Sequence, residues 1–237
     1  MSPEIKDIIF LDIETVGITH DYNSLDERLK SMWARKASHL RRKDETDEEL
    51  FSTKAGIYAE FGKVVCIVVG KFVETESGEL TLKTKAYSGH DEAELLTEFK
   101  NMADRLDPLS AKFCAHNGKE FDYPYLCRRM LINGIGLPAV LNIAGRKSWE
   151  VQHLDTLEMW KFGDFKHYTS LELLATIFNI PSSKDGIDGS MVNSVYYNEN
   201  DLERITKYCV ADVVVLSQLF LRLKGLPLMD PKNIIPA

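Results

Sequence analysis

Asp12 and Glu14 stand two residues apart in IIFLDIET (residues 8–15), a stretch otherwise apolar enough to be buried. On a strand, such positions project from one face about 7 Å apart, so both carboxylates enter one small volume. Two unpaired anions beside a core cost several kcal/mol each, and something positive should meet them. The other D-x-E triplets, Asp47/Glu49 and Asp201/Glu203, lie in polar helical stretches and read as solvated charge. Asp212 falls within the apolar stripe Leu202, Ile205, Cys209, Leu216 and Leu219, which predicts a helix over about 201–224. Tyr208 precedes it by one helical turn, so the phenol and the carboxylate can point at a common spot. Asp122 follows Phe121 at a helix start, where an ordinary N-cap is the competing reading.

Carboxylates gathered at strand and helix ends suit hard divalent cations, Mg²⁺ or Mn²⁺, which prefer oxygen donors. The four cysteines (Cys66, Cys114, Cys127, Cys209) sit singly in apolar surroundings with no C-x-x-C pair, and read as reduced core residues rather than zinc ligands. The chemistry that repeatedly uses such acidic sites is phosphoryl transfer with two metal ions. Tyr208, with an ordinary pKa near 10, would stay neutral and orient water.

The elements that must position these groups follow from the pattern. Residues 5–14 alternate so that Ile8, Phe10, Asp12 and Glu14 share one face and Ile9, Leu11 and Ile13 the other, as in a central strand covered on both sides. Strands are expected at 63–73 and 79–87, joined by TESG, and with the first they make a meander. Between the first two strands, Leu25, Leu29, Met32, Trp33 and Leu40 recur at helical spacing and predict a helical insertion over about 20–60. A helix over 91–106, a strand over 111–116, an Asn117-Gly118 turn, a helix from Asp122 to about Asn133 and a helix near 170–179 complete the order. Between the last of these and the final helix lies a Gly- and Ser-rich turn region, SSKDGIDGS (182–190).

The 237 residues are 44% hydrophobic and 27% charged, as in one ordinary globular domain spanning 1–237. A net charge of −7 gives no global field for nucleic acid, so any such partner must be held locally. No apolar run approaches the roughly 18 residues of a membrane span, and the N-terminus lacks a signal pattern. A cytoplasmic protein with no membrane partner is expected.

DIET (12–15), N-x-x-x-F-D (Asn117, Phe121, Asp122) and Y-x-x-x-D (Tyr208, Asp212) resemble, in order, the three motifs of DEDD-superfamily 3′–5′ exonucleases in the tyrosine subclass. Their context is most similar to the proofreading domain of family B DNA polymerases, here as a stand-alone relative. The resemblance implies an α/β, ribonuclease-H-like mixed sheet flanked by helices, with the insertion after the first strand. It implies that Asp12, Glu14, Asp122 and Asp212 hold two metal ions while Tyr208 positions water. It also implies release of nucleoside 5′-monophosphates from 3′ ends of single-stranded or frayed DNA. Thr15, Asn117 and Phe121 are its candidate substrate contacts, with Phe121 able to stack on a base. Lys184 is a further substrate candidate, whose competing reading is a solvated turn lysine.

Asp155, in HLDT, reads equally as a helix cap, and His116 and His167 have no spacing that raises them above surface or core residues. The basic stretch 28–43 could grip phosphates, although DETDEE beside it partly neutralises it. Two other readings stand beside DNA hydrolysis: a ribonuclease D-like exoribonuclease, and a non-catalytic nucleic-acid-binding module. A polymerase or repair partner acting in trans is left open by the sequence.

Overall fold

The computed structural model describes residues 3–42, 44–76, 78–164, 168–181 and 186–235. In chain order the elements are α1 (Pro3–Lys6), β1 (Ile8–Gly17), α2 (Glu27–Leu40), α3 (Asp47–Lys54), β2 (Gly62–Glu74), β3 (Leu80–Ser88) and α4 (Glu92–Ala103). They continue with β4 (Lys112–Ala115), α5 (Asp122–Ile132), β5 (Leu154–Asp155), α6 (Thr156–Lys161), α7 (Leu171–Ile177), α8 (Val192–Ser194), α9 (Leu202–Leu223) and β6 (Ile234–Ile235). The six strands form one mixed sheet in the order β5-β4-β1-β2-β3-β6. The expected meander is present: β1, β2 and β3 pair antiparallel, while β4 and β5 extend the sheet parallel to β1.

The alternation in β1 places it between two cores. Ile9, Leu11 and Ile13 pack under α4 and α5 with Leu96, Phe99, Tyr123 and Met130. Ile8, Phe10 and Val16 pack under α9 with Cys209, Val213, Leu216 and Phe220. β1 begins at Ile8 and reaches Gly17, later than the expected 5–14, because Pro3–Lys6 is wound into a helical turn. Opposite the Glu14–Thr15 step the register shifts, leaving Val65 of β2 as an extra residue. Both Val65 and Cys66 therefore face α9, and such bulges often re-aim side chains beside functional sites.

The insertion is helical as expected, with a small core of its own. Trp33 lies between Phe51 and Phe61, each in edge contact, and its indole N–H donates to the Asp47 carbonyl. Thr46 and Glu49 cap α3 reciprocally. β5 and β6, each two residues long, and the π-helical turn Val195–Glu199 escaped the sequence reading. Two residues are too short for a period of two to register. Among the described residues, no helix is long and apolar enough to cross a membrane.

A buried ion pair fastens α4 to α5. The Arg129 guanidinium donates to Glu92 through Nε (2.8 Å) and Nη2, and to the Ala59 carbonyl (2.8 Å). Glu92 also accepts from the Val64 amide (2.7 Å) and from Asn133 (3.0 Å). Removing one partner of such a pair strands the other charge, at about 3–5 kcal/mol. Glu92→Ala is therefore expected to lower unfolding free energy by about that much in urea titrations, and the Glu92→Leu/Arg129→Met double variant by less.

His153 packs edge-on against Phe113 and Tyr123, and its Nδ1 accepts from the Phe113 amide (3.3 Å). Burial pushes its pKa down to about 4, below its ordinary value near 6.5. The folded protein thus binds this proton less readily than the unfolded chain, so stability is complete above pH 6.5 and falls as pH drops towards 4. Denaturation at stepped pH should show on the order of 3 kcal/mol lost across that window, and His153→Gln should flatten that part of the profile.

Candidate active site

β4 runs out opposite Phe10, where its last pairing with β1 is Cys114. Beyond that point β1 continues without a strand on this side, and the gap is where the acids gather. Asp12, Glu14, Asp122, Asp212 and Tyr208 all line one cavity of about 290 Å³. A second cavity of about 490 Å³ shares Asp12, Tyr208 and Asp212 with it. The sequence-expected catalytic set is therefore brought together from three elements: the middle of β1, the first residue of α5 and the middle of α9.

The tightest cluster includes a residue that sequence reasoning had assigned to the core. Single donor atoms of Asp12, Glu14 and Cys209 lie within 4.8 Å of one another. The Cys209 thiol donates to Asp12 Oδ2 at 3.2 Å, so it orients that carboxylate. Its position in the apolar stripe of α9 was visible in the sequence, but its placement over β1 was not.

Burial dominates the electrostatics. It raises Asp12 and Glu14 well above the usual carboxylate range, and their neighbours push further: Asp212 and Asp122 on Asp12, and Asp12 and Asp212 on Glu14. Asp122 is pushed up to about 7 by burial, against the pull of the amides of Asp122 itself and Ile13. Asp212 is pushed up to about 6 by burial, offset in part by hydrogen bonding with the Tyr208 hydroxyl. Burial, then the charges of Asp212, Glu14 and Asp12, drive the Tyr208 phenol far above its ordinary value, so it is neutral. Among the described residues, no Lys or Arg lines either cavity, so no described side chain there supplies the positive partner that the sequence calls for.

The supporting residues explain how the set is held. Asp122 opens α5 rather than capping it, since the N-cap is Phe121. Asn117 lies in the left-handed region at φ 63°, and its carbonyl accepts from the amides of Glu120 and Phe121. Gly118 follows because a Cβ there would stand 2.4 Å from that of Ala115. Asp155, 4% exposed, clasps this loop while capping α6: it accepts from the amides of Asn117 (2.9 Å), Lys119 (3.1 Å), Leu157 (2.9 Å) and Glu158 (3.3 Å).

His116, set aside on sequence grounds, lines both cavities. It donates through Nε2 to the Thr169 carbonyl (2.8 Å) and meets Thr156 Oγ1 through Nδ1 (2.9 Å). Burial lowers its pKa. It thereby ties the end of β4 to the segment carrying Tyr168, whose ring also lines both cavities. Spacing alone gave no sign of this, because both partners lie about forty or more residues away.

Of the expected substrate contacts, Phe121 lines the acid cavity and sits 5.3 Å from the Tyr125 ring. Thr15 lines it too, with its hydroxyl donated to the Gly56 carbonyl (2.8 Å). Asn117 lines neither cavity and acts in the turn. Lys184, like His167 and Lys43, falls outside the described residues.

Among curated proteins, no sequence matches this chain. In three dimensions the chain is similar to the family B DNA polymerase from the hyperthermophilic archaeon Pyrobaculum calidifontis, with a TM-score of 0.55 at 15% sequence identity. The likeness covers 91% of this chain and 24% of the polymerase, and it identifies the mixed, helix-flanked sheet as ribonuclease-H-like. Residues 57–228 match the model of a family described as predicted 3′–5′ exonucleases related to the exonuclease domain of PolB. That span holds Asp122, Tyr208 and Asp212, while Asp12 and Glu14 precede it. The match extends over more than half of the sequence, and the chain belongs to this family of predicted PolB-related exonucleases.

Proposed function

We propose that the protein is a metal-dependent 3′–5′ exonuclease that hydrolyses phosphodiester bonds at single-stranded or frayed DNA ends. The observation that carries this reading is the convergence of four carboxylates and a neutral tyrosine on one cleft that no described Lys or Arg side chain lines. The donor set fits hard divalent ions: all are carboxylate oxygens except the Cys209 thiol, and their mutual repulsion is the kind that a cation relieves. Asp12, Glu14, Asp122 and Asp212 would hold Mg²⁺ or Mn²⁺. Bound there, two such ions supply an activated water and charge neutralisation at the phosphorus.

The chain's own groups do the rest. Tyr208 keeps its proton, so its hydroxyl orients water by hydrogen bonding instead of abstracting a proton. Cys209 fixes the rotamer of Asp12, and Asp155 fixes the loop that leads to Phe121 and Asp122. Phe121 offers its ring to a base, a contact worth about 1–3 kcal/mol.

Purified protein with Mg²⁺ or Mn²⁺ should shorten 3′ single-stranded DNA stepwise to 5′-mononucleotides, and matched RNA more slowly. Removing one oriented hydrogen-bonding group from a reaction centre costs about 10²–10³ in rate. Tyr208→Phe should lose about that much, and Asp12→Ala and Asp212→Ala distinctly more. Equal losses in all three would contradict the division of roles, and faster cleavage of RNA would transfer the activity to an RNA substrate.

A second expectation concerns stability. Because the carboxylates repel one another, Asp12→Asn should stabilise the metal-free protein by on the order of 1 kcal/mol. The same change should abolish the stabilisation by Mn²⁺ that mass action gives the wild type. Thermal melts in EDTA and in millimolar Mn²⁺ measure both, and a wild type indifferent to Mn²⁺ would remove the metal from the reading.

A further inference from the structure

The insertion reaches the acid cleft, though not through its charges. Arg28, Arg35, Arg41 and Arg42 are exposed and line neither cavity. Lys30 pairs with Glu27, Arg41 with Asp47, and Lys36 lies over the Tyr58 ring. What lines the cleft is Ser52 and Thr53 of α3 and the turn residues Gly56 and Ile57. Ile57 is 50% exposed, an apolar side chain held at the edge of an acidic cavity.

This wall is fixed to the strand that carries the acids. The Gly56 carbonyl accepts from both Thr15 Oγ1 and the Tyr125 hydroxyl, each at 2.8 Å. A Cβ at Gly56 would stand 3.1 Å from the Thr15 carbonyl oxygen and 3.2 Å from Val16, so the two backbones are in close approach. Asn193 bridges the other end, accepting from the Gly17 amide and donating to the Ser52 carbonyl, both at 2.9 Å. The wall is therefore hydrogen-bonded to β1 at Thr15 and, through Asn193, at Gly17.

The two cavities share Asp12, His116, Tyr168, Gly189, Tyr208 and Asp212, and so meet at three of the catalytic candidates. A phosphodiester placed at these groups would lie where both cavities are open to it. The insertion-walled cavity, about 290 Å³, is at the small end of single-ligand pockets, which span about 300–1,000 Å³. That is the scale of a single nucleotide.

We infer that the insertion builds a nucleotide subsite. Ile57 packs with Phe121 on the base of one nucleotide flanking the scissile phosphate, and the Ser52–Ile57 wall excludes a paired strand. The inference rests on the exonuclease reading for its substrate and adds a selectivity element. α2 and α3 precede the residues that match the family model, and Ile57 is the first residue of the match, so the wall straddles its start.

The test uses the full chain and two variants, Ile57→Ala and Ile57→Asp. Binding of a fluorescent single-stranded DNA oligonucleotide is read by anisotropy in EDTA and in Ca²⁺. Steady-state rates are read on single-stranded and fully paired 3′ ends. Ile57→Ala should weaken binding and raise KM about fivefold to tenfold, with kcat within about twofold, and should raise the relative rate on paired ends. Ile57→Asp should weaken binding further, by placing a charge beside the phosphate. Melting curves with and without Mn²⁺ establish that both variants fold with the acid cluster intact. Unchanged binding in both variants, or an unchanged ratio between paired and single-stranded ends, overturns the subsite. If the wild type binds the oligonucleotide but cleaves nothing, the exonuclease reading fails while the anisotropy series still decides the wall. If it binds nothing, both fail.

Discussion

Four carboxylates held in one desolvated cleft is an arrangement that folding by itself opposes. Each acid loses hydration on burial and each feels its neighbours, which is why Asp12 and Glu14 are driven so far from their ordinary ionisation. A flexible scaffold would relieve this by letting the side chains swing apart. β1 does not allow it, because it lies between two apolar layers, with Phe10 and Leu11 both fully buried on opposite faces. The rest of the fold can be understood as what keeps that strand rigid: α9 presses Cys209 and Val213 on one side, and α4 and α5 close the other. The Arg129–Glu92 network contributes from a distance by locking α5 to α4, and with them the end of the helix that presents Asp122.

The acids also set the shape of the surroundings. The hydrogen-bonding groups near the cleft largely hold other parts of the chain in place. Thr15 and Tyr125 hold Gly56, Asn193 holds Ser52, and Asp155 holds the Asn117 loop. Each of these contacts joins two segments far apart in sequence, and those to Gly56 and Ser52 end on residues that line the cleft. Precision of about half an ångström at a functional site depends on such supporting contacts as much as on the acids themselves.

How much of this was legible in the sequence depended on whether the information was local. The alternation of IIFLDIET fixed a strand buried on both faces, and the period of Leu202 to Leu219 placed Asp212 and Tyr208 together, since both signals repeat within a few residues. The order of elements and the helical insertion followed in the same way. Contacts that close over long separations left no such trace. The clasp of Asp155 on Asn117 spans 38 residues, that of His116 on Thr169 spans 53, and the approach of Cys209 to Asp12 spans 197. Asp155 therefore looked like a cap, which it is, with its second role hidden. Cys209 looked like core, which it also is. The basic stretch of the insertion drew attention by composition, while Ser52, Thr53 and Ile57, which line the cleft, carry no compositional signal at all.

The placement of charge bears on how a strongly acidic cleft in a chain of net charge −7 would receive an anionic polymer. Proteins that bind nucleic acid along its length rely on Lys and Arg contacts to successive phosphates, and their affinity is steeply salt dependent. Here the described walls of the cleft carry aromatic rings, hydroxyls and one exposed isoleucine in place of cations. Attraction for a phosphate would then come from ions held by the acids, which act at one point, and from base contacts, which extend over one or two nucleotides. Such a site favours a strand end over a strand interior, because an end presents its last phosphodiester with unstacked bases beside it. The proposed attack at a strand end is thus consistent with this distribution of charge: among the described residues, the cleft offers a point of attachment and two adjoining cavities without a Lys or Arg.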